Sequence, residues 1–428
     1  MARTVLISFL GTGNPDDPQN KRQYKKVHYH LGNDDLGEFP FVSAAIKKYY
    51  DIDTVLLVGT VHSMWEEVYR WFLTDNGQTV DEDVYWEIAE KCEQANNNSS
   101  LEIPHSQDVE QAIGGDSKVI LIRYGINEED IQENINIILG LQDYLKNDDE
   151  LIVDITHSFR SLPIFIMNLL VYLQNVSPKR IKISHIHYGM LEVIKEKNFG
   201  YAPIVELRAM MGVQEWITGA YNLKEFGNAY TIANLLEGEN KSVAPILRNF
   251  SDAMNLNYLY SMQAETQKLS GIKDSEYVTE LPRLIINPVV ESFVKNFTVN
   301  TTRHRQSLYQ LKMSEWQFEH KKYAQAYLTS NDALITYVCE LMGWKWDDYD
   351  QRQEAKNLLR DKKSSVTTQE MREWFKKHNN RRNGIAHTMK VLDSFYLKGV
   401  RYERPQTMRE IIKALKKDIE ELKILIKV

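Results

Sequence analysis

The chain has only two cysteines in 428 residues, Cys92 and Cys339, and they lie far apart. Two such residues make neither a disulfide framework nor a cysteine-based metal site. A cytoplasmic location is therefore expected, where the Asn98-Ser99-Ser100 sequon carries no meaning. Long apolar runs are also missing: none approaches the ~20 residues that a membrane-spanning helix needs. The opening stretch, "MARTVLISFLGTGNPDD", has an apolar run too short for a signal-peptide core and reads as a first β-strand. No low-complexity tract or internal repeat occurs. Net positive charge is absent as well. At −7 overall, the chain is not coated for binding duplex nucleic acid. The GxGxxG dinucleotide fingerprint is missing, because "GTGNP" has the wrong glycine spacing and no helix follows at once, which disfavours a nicotinamide cofactor.

What is present divides into two parts. A chain of 428 residues is too long for one ordinary core, so two domains are expected. Up to about residue 205, short β-branched runs alternate with helical segments. "TVLISFL" leads to Gly11-Thr12-Gly13-Asn14, and "TVLLVG" to Thr60-Val61-His62-Ser63. "KVILIRY" leads to Gly125, "ELIVDI" to Thr156-His157-Ser158-Phe159-Arg160, and "KISHIHY" to Gly189. Near-continuous apolar strands of this kind predict a parallel sheet covered on both faces, a Rossmann-like α/β domain over 1–205. "YKKVHYHLG" reads as a hairpin strand after the first loop, and "EVIKEKNFGYAPIVEL" as a hairpin at the domain's end. From 206 to 428 the period changes to 3.6 and strand signals nearly vanish, predicting an all-α domain. "VAPILRNFSDAMNLNYLYSMQAETQKL" and "QFEHKKYAQAYLTSNDALITYVCELMG" each read as one helix.

Ligands of open parallel sheets sit beyond the carboxyl ends of the strands. The loops there are rich in Gly, Thr, Ser, His and Asn, and helix N-termini add free N–H groups for an anion. A phosphate-bearing ligand stays open. The densest cluster is "DITHSFRSLP", Asp154 to Pro163. As an ordinary strand-to-helix turn, Asp154 would cap backbone amides, Ser158 would cap the helix and Arg160 would be solvated. As a binding loop, it would converge with Asn14, His62 and Ser63 on one rim.

A strand ending in Asp-x-Thr-His-(Gly/Ser), on a Rossmann-like domain followed by helices, resembles the CRISPR-associated Rossmann-fold (CARF) regulators. That resemblance implies a cyclic oligoadenylate bound across a two-fold dimer. Gly11, Thr12, Gly13, Asn14, Thr60, His62, Ser63, Asp154, Thr156, His157, Ser158 and Arg160 would line its site. Ser158 stands where many relatives have glycine.

The far end holds a second motif, "RRNGIAHTM", Arg381 to Met389. Residues 372–428 carry 15 Lys/Arg against 7 Asp/Glu, a local +8 that leaves −15 for the remainder. By itself such a stretch reads as a basic, solvated helix face. Histidine can act as acid or base near neutrality, and arginine offers a fixed charged fork for phosphate. On an ideal helix Arg382 and His387 are about 140° apart, whereas Asn383 shares the face of His387. A helix starting near Arg382, loosened by Gly384, would bring the two together.

R-N-x-x-x-H on such a helical domain resembles the HEPN ribonucleases, which build one composite site across a homodimer. That resemblance implies a transition-state role for Arg382, an acid/base role for His387, and an orienting role for Asn383. Arg381 would contact RNA phosphate. Together the motifs resemble the CARF–HEPN ancillary ribonucleases of type III CRISPR systems. The implied function is cleavage of single-stranded RNA without metal or cofactor, activated allosterically by a cyclic oligoadenylate, with four adenylates expected. The sensor pocket could also cleave its activator. A regulator or binding switch without nuclease activity is the competing reading. His28 and His30, and likewise His185 and His187, alternate on strands; neither pair has a third metal ligand nearby, so each is expected to line one face and no metal is expected. Trp344 and Trp346 read as packing residues.

Overall fold

The computed structural model describes residues 2–13, 24–157, 161–195, 199–299, 305–397 and 400–426. The chain divides into two compact units, Met1–Gly212 and Val213–Val428.

The first unit is built on eight strands: β1 (Thr4–Leu10), β2 (Val27–Leu31), β3 (Asp34–Phe39), β4 (Thr54–Gly59), β5 (Lys118–Leu121), β6 (Glu150–Asp154), β7 (Lys182–Gly189) and β8 (Ala202–Glu206). They form one sheet in the order β3-β2-β8-β7-β6-β1-β4-β5. The five strands expected from apolar runs, β7-β6-β1-β4-β5, make its parallel core. β1 and β4 are buried almost throughout, which is why their sequences are continuously apolar rather than alternating. The sheet as a whole is mixed. β8 runs antiparallel to β7, and β3 antiparallel to β2. The "YKKVHYHLG" strand is β2, and its hairpin partner is β3. At the domain's end, by contrast, residues Leu191–Lys195 form a 3-10 turn, so the antiparallel partner of β8 is β7 itself.

Helices α1 (Val42–Tyr49), α2 (Trp65–Asp75), α3 (Glu82–Gln94), α4 (Ser106–Ile113), α5 (Glu128–Gly140) and α6 (Leu162–Asn175) accompany the sheet. Two apolar cores result. One gathers Leu6, Tyr29, Phe41, Leu57, Trp65 and Ile88, and the other Ile7, Phe9, Val58, Val153, Ile166 and Leu170. Alternate residues of β1 thus point into opposite cores, as strand pleating requires.

The second unit holds α7 (Ala209–Phe226, which begins before the division), α8 (Tyr230–Leu236), α9 (Ala244–Leu256), α10 (Leu259–Leu269), α11 (Leu281–Phe297), α12 (Arg305–Glu319), α13 (Tyr323–Leu341), α14 (Tyr349–Leu358), α15 (Gln369–Ala386) and α16 (Met408–Leu425). Its helical character is as the 3.6 period implied. One core collects residues from Trp216 to Trp316 and a second those from Leu311 to Ile426. Trp344 and Trp346 pack against the second core.

Three local features differ from expectation. Each of the two long helical stretches breaks in two, at Asn257 and at Lys321, both in the left-handed region (φ +53° and +60°). A hairpin, β9 (Leu392–Leu397) and β10 (Val400–Pro405), interrupts the helices. Finally, Arg382 lies near the C-terminal end of α15, not at a helix start.

Among the described residues, no helix is long and apolar enough to cross a membrane.

Candidate functional site

Three strand-end loops of the sheet meet at one carbonyl. Gly11 O, just past β1, accepts the Tyr24 hydroxyl (2.8 Å) and the backbone N–H of Met64 from the β4 loop (3.2 Å). His157, from the β6 loop, lies against the same spot. A Cβ added to Gly11 would sit 3.6 Å from the Cβ of His157 and 3.5 Å from the Tyr24 hydroxyl, so both neighbours lie within ordinary contact distance of this residue. Tyr24 meets the His157 ring edge-on at 5.9 Å. Gly11, Thr12, Gly13, Thr156 and His157 are partly exposed along this rim. Tyr24 was not anticipated as a site residue. Its only sequence signal is its position at the start of "YKKVHYHLG", directly before β2.

Several residues expected to line the site turn inward instead. Asp154 is fully buried. It accepts the Ser8 hydroxyl (2.5 Å), the Thr156 N–H (3.0 Å) and the Thr156 hydroxyl (2.5 Å). The Thr156 oxygen in turn accepts the Gly189 N–H at 2.7 Å. Asp154 therefore holds the loop rather than reaching a ligand, because a carboxylate at the end of a buried strand must be saturated by internal donors. Thr60 and Ser63 are buried in the same way. The Ser63 hydroxyl donates to Leu10 O (2.8 Å), and its oxygen accepts the Thr60 N–H (3.0 Å). His62 is half-buried, with Nδ1 2.7 Å from the Cys92 carbonyl. Asn14, Ser158 and Arg160 lie outside the described residues.

Burial pushes the His157 imidazole below its ordinary pKa, and the nearby Asp154 charge opposes this. Its Nε2 is buried without a hydrogen-bond partner among the described residues.

Asp154→Ala should lower the stability of this unit substantially, since each buried donor left unpaired costs about 1–3 kcal/mol. Asp154→Asn should be milder, because the Ser8 hydroxyl can reverse and accept from the new amide. Urea unfolding followed by circular dichroism checks both.

The second motif sits on α15. Thr368 caps the helix start, its hydroxyl accepting the Met371 N–H, and Met371, Trp374, Phe375 and His378 form the buried stripe. His378 is held on both sides. Nδ1 is 2.8 Å from Asp418 Oδ2 on α16, and Nε2 is 2.9 Å from the Ser330 hydroxyl on α13. Ser330 also donates to Ala326 O at 2.6 Å. Arg381, expected to contact RNA, is instead paired with the same Asp418 (2.9 and 3.2 Å). One helical turn after His378 it shares that residue's face, so the buried carboxylate claims it.

Arg382 donates from Nη1 to Asn383 Oδ1 (2.9 Å), and its Nε is buried without a partner among the described residues. The helix then stops at His387. Met389 N–H bonds to Gly384 O (2.8 Å) while Thr388 adopts φ +54°, a Schellman ending with threonine in the place glycine usually takes. Gly384 serves this ending: a Cβ there would lie 2.6 Å from Val391 Cγ2. His387 is left exposed at the tip of the helix. Beside α15 a cavity of about 760 Å³ is lined by Arg360, Lys362, Arg372, Lys376, Asn379 and Asn380 among others.

Residues 5–192 match the family model described as the CARF domain of the CRISPR system endoribonuclease Csx1. The first unit is a CARF domain. Residues 212–303 match a second model, the second domain of the CRISPR-associated protein MJ1674. Over 400 residues the chain is 32% identical to the CRISPR-associated protein MJ1674 of Methanocaldococcus jannaschii, covering 90% of this chain and 62% of that protein. The chain thus spans about 62% of the length of the curated relative it matches. Among solved structures, Enterococcus italicus Csm6 bound to cyclic hexa-2'-fluoro-hexa-dAMP is similar at a TM-score of 0.40 and 12% identity, covering 100% of this chain and 94% of that one. In the CARF domain, the Gly11–His157 rim lies at the strand ends, where an open sheet takes its ligand.

Proposed function

We propose that this chain is an endoribonuclease that a cyclic oligoadenylate, with four adenylates expected, switches on. Residues 1–205 serve as the sensor and 206–428 as linker helices and a HEPN nuclease. The observation that carries the reading is the end of α15. Arg382 is fixed by Asn383, and His387 is exposed where the same helix stops, in a chain whose first unit is a CARF domain. Two copies of this motif, brought together in a homodimer, supply the groups that RNA cleavage needs. His387 takes the proton from the ribose 2′-hydroxyl or gives one to the leaving 5′-oxygen. Arg382 neutralises the charge of the phosphorane. The products are 2′,3′-cyclic phosphate and 5′-hydroxyl ends, and the attack requires no metal. The basic cavity beside α15 offers Lys376, Asn379 and Asn380 to the RNA backbone. The ring acts allosterically by favouring the dimer arrangement in which both motifs are productive. In the cell this activity would serve type III CRISPR antiviral defence.

A fluorogenic single-stranded RNA in EDTA, with and without cyclic tetra- or hexa-adenylate, tests the proposal. Cleavage should appear only with a ring and vanish in His387→Ala. If neither ring raises cleavage above the His387→Ala background, the nuclease reading falls, and a ligand-responsive regulator becomes the better account.

A further inference from the structure

β7 carries two histidines two positions apart, so both rings project from one face of the sheet. His185 and His187 are parallel within 9°, with centroids 5.2 Å apart. β8 runs antiparallel alongside and sets Glu206 opposite His187. Glu206 therefore supplies the third ligand that neither histidine has nearby in sequence. Its Oε2 is 2.6 Å from His185 Nδ1 and 4.0 Å from His187 Nδ1. The carboxylate is held in place from behind, since Oε1 accepts the N–H groups of Ile186 (2.9 Å) and Arg208 (2.8 Å).

The decisive group is His187. Its side chain is only 2% exposed, and Nδ1 has no hydrogen-bond partner among the described residues. Its other nitrogen is occupied, with Nε2 3.0 Å from the Tyr50 hydroxyl. A buried ring nitrogen with no close hydrogen bond, facing a histidine and a fixed carboxylate and touched only weakly by the Val205 backbone, can turn its lone pair to a cation. We propose that His185 Nδ1, His187 Nδ1 and Glu206 Oε2 bind one borderline divalent cation of the zinc class, with water in the fourth position. Two imidazoles and one carboxylate are the donor set such ions take. Tetrahedral bonds of about 2.0 Å place ligand atoms about 3.3 Å apart. The two distances to Glu206 bracket that value, and turning the half-exposed His185 ring adjusts both. Tyr50 then receives the Nε2–H of His187 and fixes its tautomer. His185 and Glu206, 37% and 41% exposed, give the ion its way in.

The site is structural. His187 is also the register partner of Asp154, and its carbonyl accepts the Ile155 N–H at 3.0 Å. An ion here would tie β7 to β8 directly behind the Asp154–His157 loop. The inference does not rest on the ribonuclease reading.

The full chain, stripped of metal, is titrated with Zn²⁺ by calorimetry and with Co²⁺ by visible absorption. One ion per chain, tetrahedral Co²⁺ bands and a thermal midpoint raised by several degrees are expected. Tyr50→Phe should weaken binding by about 10–100-fold, and Glu206→Gln by more. Glu206 is partly exposed, so Glu206→Gln should fold, and circular dichroism verifies this for each variant. A second cluster, His28, His30 and Asp35 on the β2–β3 hairpin, is the control. No saturable binding, or binding that survives Glu206→Gln but is lost in a His28→Ala/His30→Ala variant, overturns the assignment.

Discussion

Arg382→Ala should leave ring binding intact and slow ring-dependent RNA cleavage by about 10²–10³-fold, the usual loss when one preorganised charge stabiliser is removed. The guanidinium is already oriented, with Nη1 on Asn383 and an Nε that has no partner among the described residues. The developing charge of a phosphorane would meet this preoriented guanidinium as the reaction proceeds. Arg382→Lys should not restore the rate, because an ammonium is a point charge and cannot hold both Asn383 and a phosphate oxygen in one plane. Asn383→Ala should cost less, since it frees the fork without removing the charge. Single-turnover cleavage at saturating ring measures all three. A wild-type rate in Arg382→Ala would exclude the residue from the chemistry.

Asp418→Ala should be the most damaging single change in the helical unit, lowering its stability by about 3–5 kcal/mol, as when one partner of a buried ion pair is removed. The carboxylate accepts His378 Nδ1 and both contacts from Arg381, and the backbone oxygen of the same residue takes the Trp374 indole N–H at 2.7 Å. Its side chain is only 8% exposed, so water cannot replace it. Asp418→Asn should lose less, since the amide oxygen can still accept one of these donors. Denaturant unfolding monitored by tryptophan fluorescence reads the difference. Equal losses in Ala and Asn would mean that charge, not hydrogen bonding, holds α15 to α16.

The sequence was most legible where burial is complete. β1 and β4 are apolar at nearly every position and could be placed almost to the residue. Helix ends were less legible, because the stops at Asn257, Lys321 and Thr388 use non-glycine residues in the left-handed region. Gly384 misled for the same reason: it accommodates the ending of α15 instead of loosening its start. The β9–β10 hairpin is short and mixes aromatic with charged residues, so no apolar alternation announced it. At the CARF rim, the residue types identified the loops correctly but not the direction of each side chain. Asp154, Thr60 and Ser63 suit a ligand and an internal turn equally well, and only the neighbouring strands' donors decide between them. Likewise Glu206 is paired with His185 by strand order, which a linear spacing of 21 residues conceals.

The Ser330–His378–Asp418 chain bears on how function is searched for in such folds. Its oxygen–nitrogen and nitrogen–oxygen separations fall within the range of a serine hydrolase triad. A template that matches three side chains by distance alone would retrieve this helical bundle as an esterase. Yet the hydroxyl is sealed inside the core and donates to the Ala326 carbonyl one turn back along its own helix. No acyl group can approach it, and no oxyanion could be accommodated beside it. The same three atoms that elsewhere attack a substrate act in this protein as a rivet between α13, α15 and α16.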